Sequence, residues 1–236
     1  KDSFKGEKCY ILSCGPSIND LNNDKFKELI KNDLVLSVKQ TIDLFQNETD
    51  FHFFNCANLP ESKDKYLLQN YEYNTDLISV ASSNYPLGSR WSLNQKNDLF
   101  FKIPIRTEIN NECVCLTKDF ENHTMSKTNQ RPCGPGIMYE TVIFMAEHLG
   151  VSEIIAAGWD LSMKTKVTQK EYKHFYDSSS KMAIKGDVLP WEVKATCEAS
   201  KDLYLWLKKK GIELKLLSNQ SSLWKDIPRI KLQDIK

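Results

Sequence analysis

The chain has 236 residues, 41% hydrophobic and 27% charged, enough for one large α/β domain or two small ones with a sizeable core. Its 32 Lys and Arg nearly cancel its 31 Asp and Glu, and a formal net charge of +1 argues against a dedicated nucleic-acid binder. No apolar run approaches the roughly 18 residues that span a bilayer, and no secretory leader is visible in a chain that starts at Lys1.

The first apolar run, residues 8–13, reads as a strand that breaks on Ser13-Cys14-Gly15-Pro16-Ser17. Residues 24–31 read as an amphipathic helix with Phe26, Leu29 and Ile30 inward. Strands are expected at 33–38, at 50–55 ending in Asn55, and at 76–81. Segment 85–130 is polar with aromatic spots and reads as an irregular insertion, with one further strand at 99–105. The strongest helix is 136–149, stopped by Gly150. A short buried strand at 152–157 then reaches Gly158-Trp159-Asp160. Residues 163–188, rich in Lys, Ser and Tyr, read as a mobile lid loop. A helix at 190–210 carries Pro190 in its first turn and Lys208, Lys209 and Lys210 in its last, and a final strand at 211–219 precedes a tail. Short apolar runs alternating with helical periods predict one α/β domain over 1–236, a Rossmann-like, mainly parallel sheet flanked by helices.

Seven cysteines (9, 14, 56, 113, 115, 133 and 197) are odd in number and irregularly spaced. Cys113-x-Cys115 is too tight for a zinc knuckle and no His pair completes it, so no metal site is expected and a reducing compartment is. Sequons at Asn47, Asn122 and Asn219 read as chance in an Asn-rich chain.

Ligands of open parallel sheets bind beyond the carboxyl ends of the strands. Four unusual turns fall there or at a helix start: Ser13–Ser17, Asn55, Gly158–Asp160 and Cys133-Gly134-Pro135-Gly136. The last precedes the strongest helix, where free N–H groups suit a phosphate. There is neither a G-x-x-x-x-G-K-[ST] loop nor a G-x-G-x-x-G turn, which argues against a P-loop NTPase or a nicotinamide dehydrogenase. Of four histidines, His52 lies in a strand pattern, His148 closes a helix and His123 sits in the insertion. His174, among Tyr172, Tyr176 and Asp177, is the candidate general base, the alternative being a solvated loop residue. Arg131 suits a phosphate or carboxylate, or a surface salt bridge. Asp160 suits a ribose, a metal or a turn cap, and Trp159 a stacked ring or the core.

With these pieces in order, the chain resembles the bacterial sialyltransferases of glycosyltransferase family 42 and the related motility accessory factors and hydroxymethylpterin diphosphokinases. The residues that carry the resemblance run from 8 to about 230. They are Ser13-Cys14-Gly15-Pro16-Ser17, Phe53-Phe54-Asn55, Asn129-Gln130-Arg131, Gly136, Leu149-Gly150 with Glu153-Ile154, Gly158-Trp159-Asp160 and His174-Phe175-Tyr176. The resemblance implies a GT-A-like variant of the Rossmann sheet and a cytoplasmic, metal-independent transferase for surface polysaccharide biosynthesis. Its substrates would be a CMP-activated sugar acid, such as sialic acid or Kdo, and a glycan acceptor, with no separate cofactor. It leaves room for peripheral association with the inner face of a membrane and for a homo-oligomer.

Carried over, Cys14, Gly15, Pro16, Ser17, Lys39, Asn55, Cys133, Gly134, Pro135, Gly136, Gly158 and Trp159 would line the substrate site. Arg131 and Asp160 would belong to the active site, with Tyr172 and Tyr176 facing the donor phosphate. His174 would take the acceptor proton, giving inversion; a retaining course would use Asp160 as nucleophile. The chain departs from the family at Cys14 and Lys39, each where an Asn is expected, at Ser162 in place of a Tyr, and at Ser178 in place of a second His. Two other readings stand beside this one: an ATP- and Mg-dependent pyrophosphate transfer to a pterin-like alcohol, and a non-catalytic module of a glycan-assembly protein.

Overall fold

The computed structural model describes residues 1–55, 73–83, 98–102, 108–109, 112–113, 119–132, 136–161, 189–218 and 221–235. Among them the main sheet has seven strands: β1 (Lys8–Leu12), β2 (Leu34–Val38), β3 (Phe51–Asn55), β4 (Ile78–Ser83), β5 (Leu99–Lys102), β8 (Glu153–Ala157) and β9 (Glu213–Leu217). All neighbours are parallel, in the order β5-β4-β3-β2-β1-β8-β9. A separate antiparallel pair joins β6 (Glu108–Ile109) to β7 (Glu112–Cys113). The Rossmann-like α/β expectation holds.

Parallel strands are buried on both faces, which is why β1 and β2 read as continuous apolar runs. One face carries Tyr10, Leu12, Val35, Ile155 and Leu217 beneath a 3-10 turn (Pro16–Leu21), α1 (Asp24–Ile30) and α2 (Ile42–Phe45). There Phe26 stands edge-on to both Tyr10 and Phe45. Asn23 caps α1, its side chain accepting from the Phe26 N–H. The other face carries Cys9, Ile11, Leu36, Phe53, Ile154 and Leu214 beneath two further helices, α3 (Ile143–Leu149) and α4 (Leu189–Lys209). Phe120 lies between Tyr139, Phe144 and Trp206, and Trp206 donates to Glu121, so segment 119–131 is bound to the helix layer.

The expected elements recur with shifted ends. The strand expected at 99–105 is described over Leu99–Lys102, and it is the edge of the main sheet, so the insertion is not wholly irregular. The last strand is shorter than 211–219. The turns and short helix between residues 39 and 48 were not expected, because elements of three or four residues carry too little periodicity to register. The expected helix at 136–149 opens with a π-helical turn, Met138–Val142, before α3 begins. The 163–188 lid expectation lies outside the described residues.

The tail covers β9. The Leu216 N–H donates to Pro228 O and the Ile230 N–H to Leu216 O, pairing this segment alongside the outer strand. Arg229 holds the tail's bend by donating to the carbonyls of Ser221, Leu223, Trp224 and Lys225.

Candidate functional site

The sheet grows in opposite directions from β1, to β2 on one side and to β8 on the other. Such a switch point opens a crevice at the carboxyl edge. The turns after β1 and β8 meet there, as does the start of the helix before β8. Ser13 Oγ donates to Met138 Sδ at 3.5 Å, and Trp159 packs edge-on against Tyr139 with centroids 5.7 Å apart. The turns after β1 and β8 and the helix start that follows Gly136 therefore gather at one place. Asn55 ends β3, two strands away from β1 on the same edge.

The β1 turn does not present a free cradle of amides. The Ser13 N–H donates to Ala157 O at 2.8 Å, the Gly15 N–H to Gly158 O at 2.7 Å and the Ile18 N–H to Gly15 O at 3.1 Å. Asp160 takes another: Oδ2 accepts from the Ser17 N–H at 2.8 Å, and Oδ1 accepts from Ser17 Oγ and Ser218 Oγ, each at 2.6 Å. Asp160 is 4% exposed, and its peptide carbonyl accepts from the Ser222 N–H. The Gly15 and Ser17 N–H groups are spent on protein acceptors. Gly15 is required by space, because a Cβ there would lie 2.3 Å from Gly158 O. With both oxygens engaged, Asp160 is a clasp between β1, β8 and the end of β9.

A second feature lies at the end of β2. Lys39 has φ +52°, a left-handed conformation uncommon outside glycine and asparagine. Its carbonyl is 2.7 Å from His52 Nε2, and His52 Nδ1 is 2.6 Å from the Tyr73 hydroxyl. A carbonyl only accepts, so Nε2 carries the proton and Nδ1 accepts from Tyr73. The neighbouring carbonyl of Val38 accepts from the Cys14 thiol at 3.0 Å, and the same sulfur lies 3.3 Å from Thr41 Oγ1. Burial pushes the Cys14 thiol up, which keeps it a structural donor rather than a nucleophile.

No family model matches the chain, and no curated protein matches it. The reading of the site rests on its own residues.

His52 is fully buried, and desolvation pushes it down from 6.5 to about 4. Between those values the unfolded chain binds the proton and the folded one does not, so stability is lost as pH falls from about 6.5 to about 4. The loss is about 3 kcal/mol at its limit. Urea midpoints across this range are expected to fall less steeply for His52→Gln than for the parent. Parallel profiles would show that His52 does not titrate in this window.

Arg131 is neither a surface salt bridge nor open to a ligand: it is 1% exposed. Its guanidinium lies against Phe101 and Phe144, and Nη1 donates to His123 O at 3.0 Å. Nη2 reaches Thr128 O, and Nε has no partner among the described residues. Burial pushes the group down to about 10. It fastens segment 119–131 to β5 and α3. Trp159, 5% exposed, belongs to the core. Pro16 occupies the first position of the 3-10 turn, where its missing N–H costs nothing. Gly136 stands at the helix start, its carbonyl accepting from the Tyr139 N–H. Cys133, Gly134, Pro135, Tyr172, His174 and Tyr176 lie outside the described residues. Sequence reading assigned His52 to a strand but missed its hold on Lys39, and it missed Ser218. A histidine at the centre of the apolar run "DFHFFN" was the available signal for the first; nothing local marks the second.

Proposed function

We propose that the chain is a CMP-sugar-dependent glycosyltransferase that moves a sugar acid to a glycan acceptor without a metal. The observation that carries this reading is the switch point between β1 and β8, at whose carboxyl edge the turns after both strands and the Gly136 helix start converge. Crevices of this kind receive nucleotides. Because the β1 turn is closed on itself by Asp160, the nucleotide would lie over that turn and be held by groups around it. These are Lys39 and Asn55 at the ends of β2 and β3, and the Cys133–Gly136 turn.

In this reading His174 removes the acceptor proton as an oxocarbenium-like centre develops on the sugar, and Tyr172 and Tyr176 stabilise the leaving phosphate. The outcome is inversion, since Asp160 is committed to the clasp. His174→Ala with full turnover would remove the base assignment.

Thermal-shift binding separates the classes. CMP without metal is expected to raise the unfolding temperature. A ligand at a hundred times its Kd stabilises by about 2.7 kcal/mol. A response to ATP with Mg²⁺ alone would favour pyrophosphate transfer. No response to any nucleotide would favour a non-catalytic module.

A further inference from the structure

We propose that Lys39 is the side chain that recognises the nucleotide phosphate, and that His52 is the positioning residue holding it at the crevice; this deepens the nucleotide reading above and rests on it. Lys39 directly follows β2, the neighbour of β1, and its backbone is in a conformation that a lysine does not choose unaided. The surroundings impose it from both sides of the peptide. His52 donates to the Lys39 carbonyl while Tyr73 fixes the ring's tautomer from behind, and Cys14 donates to the preceding carbonyl, that of Val38. His52 is immobilised by packing as well, its ring centroid 5.2 Å from that of Phe54 and 5.6 Å from that of Tyr73.

That much support for one unfavourable torsion has no evident use in the fold. Glycine or asparagine would adopt it at lower cost. What lysine adds is a charge. The half-buried side chain makes no hydrogen bond or ion pair among the described residues. Cys14 of the β1 turn donates to the carbonyl immediately before Lys39 at 3.0 Å, so this residue stands beside that turn at the carboxyl edge. Asp160, which follows β8 on the other side of β1, is already held by Ser17 and Ser218. An unanswered ammonium beside a turn whose Ser13, Gly15, Ser17 and Ile18 amides are spent is suited to a phosphate as a compact, multi-donor cation.

Titration calorimetry of the full chain with CMP and with cytidine, at low and moderate salt, tests this. Lys39→Asn keeps a residue that tolerates the left-handed backbone and removes the charge. It is expected to weaken CMP about tenfold or more, to leave cytidine unchanged and to flatten the salt dependence of CMP binding, with an unaltered or raised unfolding midpoint. His52→Leu should reproduce the CMP loss. His52→Gln, whose amide N–H can replace the Nε2 donor, should restore most of it. If the parent binds CMP and Lys39→Asn binds it equally well, or loses cytidine in equal measure, the lysine assignment falls and the nucleotide reading stands. If Lys39→Asn loses CMP but folded His52→Leu does not, the positioning role falls. If the parent binds no CMP at all, both fall together.

Discussion

Gly158→Ala is expected to destabilise the protein by more than about 4 kcal/mol, the range reserved for a few specific insults. Two costs coincide at this position. Gly158 has φ +69°, where a side chain is strained, and an added Cβ would lie 2.2 Å from Ser13 O and 3.2 Å from Ile18 Cβ. The oxygen belongs to backbone that cannot retreat without opening the contact between the β1 and β8 turns. Two other glycines separate the costs. Gly211 has φ +76° with nothing within 4 Å of an added Cβ, so Gly211→Ala should show the torsional part alone, about 1 kcal/mol. Gly15 has φ −67°, so Gly15→Ala should show the steric part alone, against Gly158 O at 2.3 Å and Asp160 Oδ2 at 2.5 Å. Denaturant midpoints at unchanged m-value provide the measurement. A Gly158→Ala protein as stable as Gly211→Ala would mean that the turns do not meet as described.

Asp160→Ala should cost about 3 kcal/mol, because it removes the acceptor of three donors at once: the half-buried Ser17 N–H and hydroxyl and the buried Ser218 hydroxyl. Asp160→Asn should cost only about 1 kcal/mol. Its amide oxygen can still accept from the Ser17 N–H, and both serine hydroxyls can rotate to accept from the new NH₂. The pair of variants distinguishes a clasp from a nucleophile. In a turnover assay with a CMP-sugar donor, folded Asp160→Asn should remain active. Complete loss of turnover without loss of stability would restore the retaining mechanism.

These predictions concentrate on one edge because that is where the chain departs from what an ordinary sheet needs. On the two apolar faces of the sheet burial follows apolar periodicity, and single substitutions there should behave as core truncations do. At the carboxyl edge, buried and half-buried polar groups are held by one another. Ser17, Asp160 and Ser218 form one such set, and Lys39, His52 and Tyr73 the other.

Much of the α/β architecture was legible in the residues themselves. Runs such as "LVLSV", apolar on both faces, imply a parallel sheet covered on each side, and Phe26 with Ile30 marks the inner stripe of α1. Such signals are local: side-chain periodicity over five to ten residues reports which faces avoid water. The order β2-β1-β8 was not legible, because pairing Leu12 with Ala157 depends on packing summed over the whole sheet. Nor was the fate of the opening turn. Gly15-Pro16-Ser17 reads alike whether its N–H groups await a phosphate or meet a carbonyl and a carboxylate from 143 residues away. Only tertiary structure decided that they meet Gly158 and Asp160. A hydrogen-bond donor's partner is a property of position in space, and chain composition constrains only how many partners must be found.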